Sequence, residues 1–153
     1  NGDELGMWGA DDPDCRKPLL WGNIDHSPQI FAPDGSRSKA IAVSPNQEQF
    51  SYQKKLILLR RKRLEWTRGS ARFLHSNDEA LTLAYLREID QHRSLVAFNF
   101  SNKARTLSLD NQSVSSFELL VASRPEALLA GTIEARTLRL KLAPLSGVAL
   151  HLN

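Results

Sequence analysis

Carboxylates are the first side chains of the sequence whose types and spacing suggest chemistry. They occur as an adjacent pair, Asp3-Glu4, and as a cluster of Asp11, Asp12 and Asp14. Paired acid–base work needs two carboxylates that face one point, whereas adjacent residues of a strand point to opposite faces. We therefore predict no catalytic pair at Asp3-Glu4, and a single positioning role rather than paired acid–base work for Asp11 and Asp12, which lie in a loop.

Metal ligands, a reactive thiol and a nucleic-acid contact are the next possibilities. The aspartate cluster lacks the glycine and the late bidentate glutamate of a calcium loop. The histidines are scattered and form no ligand motif: His26, His75, His92 and His151. The sequence shows no arrangement of His and Asn that would make Cys15 a catalytic nucleophile, so an inert thiol is the favoured interpretation. The run Arg60-Arg61-Lys62-Arg63 lacks a stacking platform and is interpreted as a solvated helix end. We predict no metal, no cofactor and no nucleic-acid partner.

Composition narrows the class of protein. The chain has 153 residues with 41% hydrophobic and 24% charged residues, enough for a packed core and too few for two large domains. It has no apolar run of the ~20 residues that a membrane helix needs, so no membrane partner is predicted. The single cysteine fits a reducing compartment, and no signal peptide is visible. We therefore expect a cytoplasmic protein.

The elements that must position these residues fall into three segments. Residues 1–45 contain five of the seven prolines and five of the eight glycines, which predicts an ordered loop without helical or strand periodicity. Residues 47–63 are predicted to form a helix with Asn46 as a possible N-cap. The run Leu56-Ile57-Leu58-Leu59 encircles this helix, so we expect the isolated chain to expose apolar surface and to self-associate.

Residues 69–153 show the period of short strands. The clearest alternations place leucine, valine or aromatic residues at every second position: 81–85, 96–100, 107–109, 117–121, 138–142 and 148–152. About seven or eight antiparallel strands in this length predict a small β-sandwich. The strand at 96–100 is apolar on both faces, which is typical of a central strand.

The order of motifs resembles the end of an α-amylase-family glycoside hydrolase, in the branch of neopullulanases, cyclomaltodextrinases and α-glucosidases. The residues that carry the resemblance lie along the whole chain: Gly2-Asp3-Glu4-Leu5-Gly6-Met7, Asp12-Pro13-Asp14-Cys15-Arg16-Lys17-Pro18, Trp21, and Lys55-Leu56-Ile57-Leu58-Leu59-Arg60. The resemblance implies a mainly β chain with one helix. Residues 1–66 would be the last strand, loop and helix of a (β/α)8 barrel, and residues 69–153 a C-terminal antiparallel β-domain.

The resemblance also implies a function. Asp12 and Arg16 match family positions that bind a glucose unit on the glycone side of the cleavage point, while the three catalytic carboxylates lie on earlier strands. The expected function is the C-terminal part of a retaining enzyme that acts on α-glucans or maltooligosaccharides. Its expected partner is an upstream barrel, and the 153 residues alone are expected to be inactive. The alternative is a stand-alone, non-catalytic β-sandwich that binds carbohydrate or another partner.

Overall fold

The structure, a computed structural model, describes residues 2–7, 9–110 and 113–153. Contacts divide the chain into two units, Asn1–Ile57 and Leu58–Asn153. The boundary between the units falls inside a helix, whereas the sequence predicts one at residues 66–69. That predicted division between barrel end and β-domain stays a prediction.

The first unit begins with a 3-10 turn at Asp3–Leu5. Gly2 and Gly6 flank it with φ values of 92° and 68°, and the Leu5 N–H donates to the Gly2 carbonyl at 2.9 Å. The strand expected at the start of the chain is therefore wrong for this structure. Two residues without a Cβ take up left-handed conformations at either end of the turn at little steric cost, and this closes the backbone on itself.

A short antiparallel hairpin follows within the predicted irregular segment. Strand β1 (Gln29–Phe31) pairs with β2 (Arg37–Ile41), and Gly35 in the turn has a φ of 81°. The sequence analysis did not predict these strands. A three-residue strand carries too few positions for an alternation to be visible.

Helix α1 (Gln47–Lys62) agrees with the predicted helix, and α2 (Leu64–Thr67) follows it. The Asn46 side-chain oxygen accepts the Gln49 backbone N–H at 3.0 Å, so the predicted N-cap is confirmed. None of the α1 residues is buried, and Ile57 and Leu58 are 59% and 43% exposed. The expected self-association of the chain stays a prediction.

The second unit is an antiparallel β-sandwich, which confirms the predicted fold class of residues 69–153. Two sheets have the strand orders β3-β4-β5-β10-β7 and β6-β9-β8. The strands are β3 (Ser70–Asn77), β4 (Thr82–Ile89), β5 (His92–Asn99), β6 (Arg105–Leu109), β7 (Phe117–Ala122), β8 (Leu128–Glu134), β9 (Thr137–Leu142) and β10 (Ser146–Leu152). Strand β5 is central, as its apolar faces predicted, whereas β3 and β8 were not identified by alternation.

The sandwich core is a leucine layer that both sheets supply. The fully covered leucines are Leu86, Leu95, Leu107, Leu138, Leu140, Leu142 and Leu150. Ala84 and Ala97 fill the narrow positions between them, and both have no exposed surface. Burying these apolar side chains is the main stabilising contribution in this unit.

The outer face of the five-stranded sheet carries aromatic residues, one of which, Tyr85, belongs to the face that the alternation 81–85 predicts to be buried. In β4 the buried residues are Thr82, Ala84 and Leu86, so the predicted face 81–85 was out of phase by one residue. Phe73 and Tyr85 lie on the other face, with ring centroids 5.9 Å apart. Because both faces of the strand are apolar, a period of two cannot tell which one is inside.

Candidate functional site

The segment 10–17 of the first unit, which we call the aspartate loop, is built from consecutive tight turns. The Asp14 N–H donates to the Asp11 carbonyl at 2.8 Å, and the Arg16 N–H donates to the Pro13 carbonyl at 3.0 Å. The peptide bond between Asp12 and Pro13 is cis. The turns bring side chains that are four residues apart to the same side of the loop.

Asp12 and Arg16 form a two-pronged ion pair at the surface of this loop. The Arg16 Nε lies 2.7 Å from Asp12 Oδ1, and Arg16 Nη2 donates to Oδ2 at 2.9 Å. The Arg16 side chain is 76% exposed and that of Asp12 is 52% exposed. The structure thus brings together the two residues that the sequence analysis named as sugar-binding.

This geometry leaves hydrogen-bonding capacity for a ligand. A guanidinium has five N–H donors, of which Asp12 uses two, and each carboxylate oxygen keeps a further lone pair. The exposed edge therefore presents charged donors and acceptors side by side. Vicinal hydroxyl groups of a sugar, which both donate and accept, match such an edge.

Asp14 is the centre of the polar contacts within the aspartate loop. Its Oδ2 accepts the Ala10 backbone N–H at 2.8 Å, the Gln29 Nε2–H at 2.8 Å and the Lys17 ammonium at 3.1 Å. The backbone bond from Ala10, then the Gln29 amide and Lys17, hold the pKa of Asp14 below its ordinary value. The sequence analysis missed this role, although the spacing Asp14-x-x-Lys17 in a turn was a visible signal.

In the described part of the chain, the other chemically suggestive side chains form no hydrogen bond or ion pair with the side chains of the Asp12–Arg16 pair. Asp11 accepts the Asp12 backbone N–H at 2.8 Å, and Cys15 is an exposed free thiol. Asp3 and Glu4 lie in the 3-10 turn. Among the described residues no three His, Cys, Asp or Glu side chains are grouped so that they could hold a metal ion. None of the helices described there is long and apolar enough to cross a membrane.

A small cavity of about 100 Å³ lies beside the loop in the same unit. Its lining residues are Gly6, Met7, Lys17, Leu20, Gln29, Ala42, Val43 and Ser44. Gln29 is only 3% exposed, and its Nε2 also donates to the Phe31 carbonyl at 2.9 Å. The side chain that contacts Asp14 is thus fixed by strand β1.

The second unit holds one buried carboxylate, Glu65, with a cluster of polar partners that the sequence analysis also missed. Glu65 is 1% exposed and accepts from the Ser94 hydroxyl and from Arg63 Nε, both at 2.6 Å. Burial raises the pKa of Glu65, but the bonds from Ser94 and Arg63 outweigh it, and the net pKa lies below its ordinary value. Arg63 Nη2 also contacts His151 Nδ1 at 2.6 Å, so the cluster ties α2 to the sheet.

Comparison with known proteins decides the family. Residues 82–148 match the family model of the α-amylase SusG C-terminal domain. The chain is 34% identical to neopullulanase 2 of Thermoactinomyces vulgaris over 69% of its length. It is 30% identical to a cyclomaltodextrinase of Geobacillus thermopakistaniensis over 94% of its length. The chain belongs to the α-amylase family of glycoside hydrolases. The resemblance inferred from the motifs is confirmed.

Within the α-amylase family the match is to a C-terminal portion. The chain spans 15% of the neopullulanase and 20% of the cyclomaltodextrinase. It superposes on the solved α-amylase of H. orenii with a TM-score of 0.68 and 16% identity, covering 99% of this chain and 31% of that one. That likeness concerns the fold, and it includes the antiparallel β-domain of the second unit.

Proposed function

We propose that this chain is the C-terminal part of an enzyme that acts on α-glucans, and that Asp12 and Arg16 bind a glucose unit on the glycone side of the cleaved bond. The observation that carries the proposal is the exposed, two-pronged Asp12–Arg16 pair in a chain of the α-amylase family. In the same proposal residues 1–66 complete a (β/α)8 barrel, and residues 69–153 are its structural β-domain.

The chemistry of the pair supports binding rather than catalysis. Retaining glycoside hydrolysis needs two carboxyl groups about 5–5.5 Å apart on opposite sides of the glycosidic bond. Both oxygens of Asp12 are engaged by Arg16, and among the described residues no second carboxylate takes part in this pair, so Asp12 is not half of such a catalytic arrangement. We assign no catalytic residue to this chain, and the catalytic carboxylates to the preceding barrel.

The names of the relatives indicate the substrate class. A neopullulanase and a cyclomaltodextrinase are named for pullulan-type and cyclic α-glucans. An α-linked maltooligosaccharide is therefore the substrate that we propose, with the Arg16 guanidinium and the Asp12 carboxylate bridging adjacent hydroxyls of one glucose unit.

The test is Arg16→Ala in the full-length enzyme with maltotriose as substrate. Losing a charged hydrogen bond to the sugar should lower kcat/KM by roughly 10-fold or more, corresponding to about 1.5–3 kcal/mol. Arg37→Ala is the matched control, because Arg37 is an exposed arginine of the same unit in strand β2. An unchanged kcat/KM in a folded Arg16→Ala enzyme would refute the sugar-binding role.

A further inference from the structure

The polar contacts of the aspartate loop converge on one atom, Oδ2 of Asp14. This oxygen accepts a backbone N–H from Ala10, an amide N–H from Gln29 and the Lys17 ammonium, at 2.8, 2.8 and 3.1 Å. The contact with Ala10 spans the residues 11–13, and the contact with Lys17 spans the residues 15 and 16. Asp14 therefore closes the loop on both sides, once around Asp12 and once around Arg16.

The contact with Gln29 attaches this closed loop to regular structure. Gln29 begins strand β1, is 3% exposed, and donates its second amide proton to the Phe31 carbonyl at 2.9 Å. The hydrogen bond to Phe31 thus fixes the Gln29 amide in the orientation in which it donates to Asp14. On the other side of the loop, a Cβ on Gly9 would lie 2.7 Å from the Cα of Cys15, so only glycine lets the two backbone stretches approach this closely.

Within the part of the chain that the structure describes, the side chains of Asp12 and Arg16 have no comparable support beyond each other. Both side chains are more than half exposed, and an exposed pair loses side-chain entropy when it holds one geometry. Sugar binding needs the guanidinium and the carboxylate at fixed positions before the ligand arrives, because ordering them on binding would weaken the affinity. The order must come from the backbone beneath the pair.

We propose that Asp14 is a positioning residue for the Asp12–Arg16 pair, acting through the loop backbone and anchored by Gln29. The proposal rests on the proposed sugar-binding function of that pair. In this role Asp14 does not contact the substrate. Its negative charge attracts three hydrogen-bond donors, which a neutral side chain at this position would leave solvated by water. The low pKa of its carboxyl is consistent with a side chain that stays charged.

The experiment is a double-mutant cycle in the full-length enzyme, with kcat/KM on maltotriose as the measured quantity. Asp14→Asn keeps the size of the side chain and removes its charge, and it should lower kcat/KM by about 3- to 10-fold. In an Arg16→Ala background the same substitution should have almost no further effect, since there is no pair left to position. A purely structural role would instead lower activity by the same factor in both backgrounds.

Asp34→Asn is the matched control for the charge change. Asp34 is an exposed loop carboxylate of the same unit, its pKa is also lowered, and it accepts bonds from the Ser36 hydroxyl and N–H at 2.7 and 2.9 Å. It belongs to the β1–β2 turn and should leave kcat/KM unchanged. Gln29→Met is the second variant, to be used if Asp14→Asn folds poorly. It keeps the volume of the side chain and removes the amide that donates to Asp14, so it should lower kcat/KM as Asp14→Asn does.

The outcomes separate this inference from the proposed function. If Arg16→Ala leaves kcat/KM unchanged, the sugar-binding function of the pair is wrong, and the positioning role falls with it. If Arg16→Ala impairs the enzyme while Asp14→Asn and Gln29→Met do not, the pair binds sugar and the positioning role is wrong. Additive effects in the cycle would also overturn it.

Discussion

The aspartate loop and the β-sandwich hold their side chains in place by opposite means. In the sandwich, seven leucines without exposed surface fix the sheets through buried apolar area. In the loop, the aspartates are partly or largely exposed, and charged groups and backbone donors define the conformation. Apolar packing tolerates substitutions that keep the apolar pattern and the side-chain volume, whereas the polar loop needs particular residues at particular spacings.

Two carboxylates make the comparison sharper, because each is the centre of its own cluster. Asp14 lies in an accessible loop of the first unit, and Glu65 is covered in the second. Both have lowered pKa values and a basic neighbour, Lys17 for Asp14 and Arg63 for Glu65. Water can replace donors around Asp14 but not around Glu65, so the same chemistry should matter for stability only in the sandwich.

The largest expected effect is on the sandwich core. Leu140 has no exposed surface and lies in β9, the central strand of the three-stranded sheet. Leu140→Ala removes buried methyl groups and leaves a cavity, and should lower the free energy of unfolding by about 3–5 kcal/mol. Urea unfolding followed by circular dichroism measures this.

Leu129→Ala is the control for the leucine substitution. Leu129 lies in the neighbouring strand β8 and is 48% exposed, so its loss should cost about 0.5 kcal/mol or less. Equal losses for Leu140 and Leu129 would contradict the assignment of the core to the leucine layer.

Two strands of the sandwich, β9 and β4, differ in how far the sequence predicted them. Strand β9 was evident because Leu138, Leu140 and Leu142 alternate with polar residues, and one face only can be inside. Strand β4 was found but assigned the wrong face, because Tyr85 and Leu86 make both faces apolar. Periodicity reports the element in both cases, and reports the buried face only where the other face is polar.

The sequence identified Asp12 and Arg16 only through the motif that resembles the α-amylase family, and that motif lies within one short segment. Asp12 and Arg16 are four residues apart in a turn-rich segment, and the structure pairs them. Gln29 lies 15 residues from Asp14, and Glu65 lies 29 residues from Ser94. Contacts of this kind depend on where the hairpin and the sheet place their residues, and no pattern within a short window contains that information.

The second largest effect should come from the buried carboxylate. Glu65→Gln keeps the size of the side chain but leaves Arg63 without its charged partner, and should lower the free energy of unfolding at pH 7 by about 1–3 kcal/mol. Glu134→Gln is the control, since Glu134 pairs with Arg139 at 3.5 Å while both side chains are more than half exposed. The control should change the free energy by about 0.5 kcal/mol or less.

The pH dependence of the free energy of unfolding gives an independent test of the role of Glu65. Its pKa is lower in the folded than in the unfolded chain, so the charged form contributes stability above the unfolded value of about 4.3. That contribution is lost as the pH falls through the folded pKa. The difference in unfolding free energy between the protein and Glu65→Gln should therefore be constant from pH 7 to about 5 and shrink below about 4. A difference that grows on acidification would show that Glu65 is protonated in the folded chain.

The smallest effect on stability should come from the Asp12–Arg16 pair, although we propose that it matters most for function. The two side chains are 52% and 76% exposed, so water solvates each charge well when the other is removed. Arg16→Ala should change the free energy of unfolding by less than about 1 kcal/mol, and less still at high salt. Urea unfolding at low and high salt, beside the maltotriose kinetics of the same variant, separates the two roles. A loss of stability as large as that of Glu65→Gln would mean that the pair supports the loop itself, and that Asp14 and Arg16 act together as structure rather than one positioning the other for sugar.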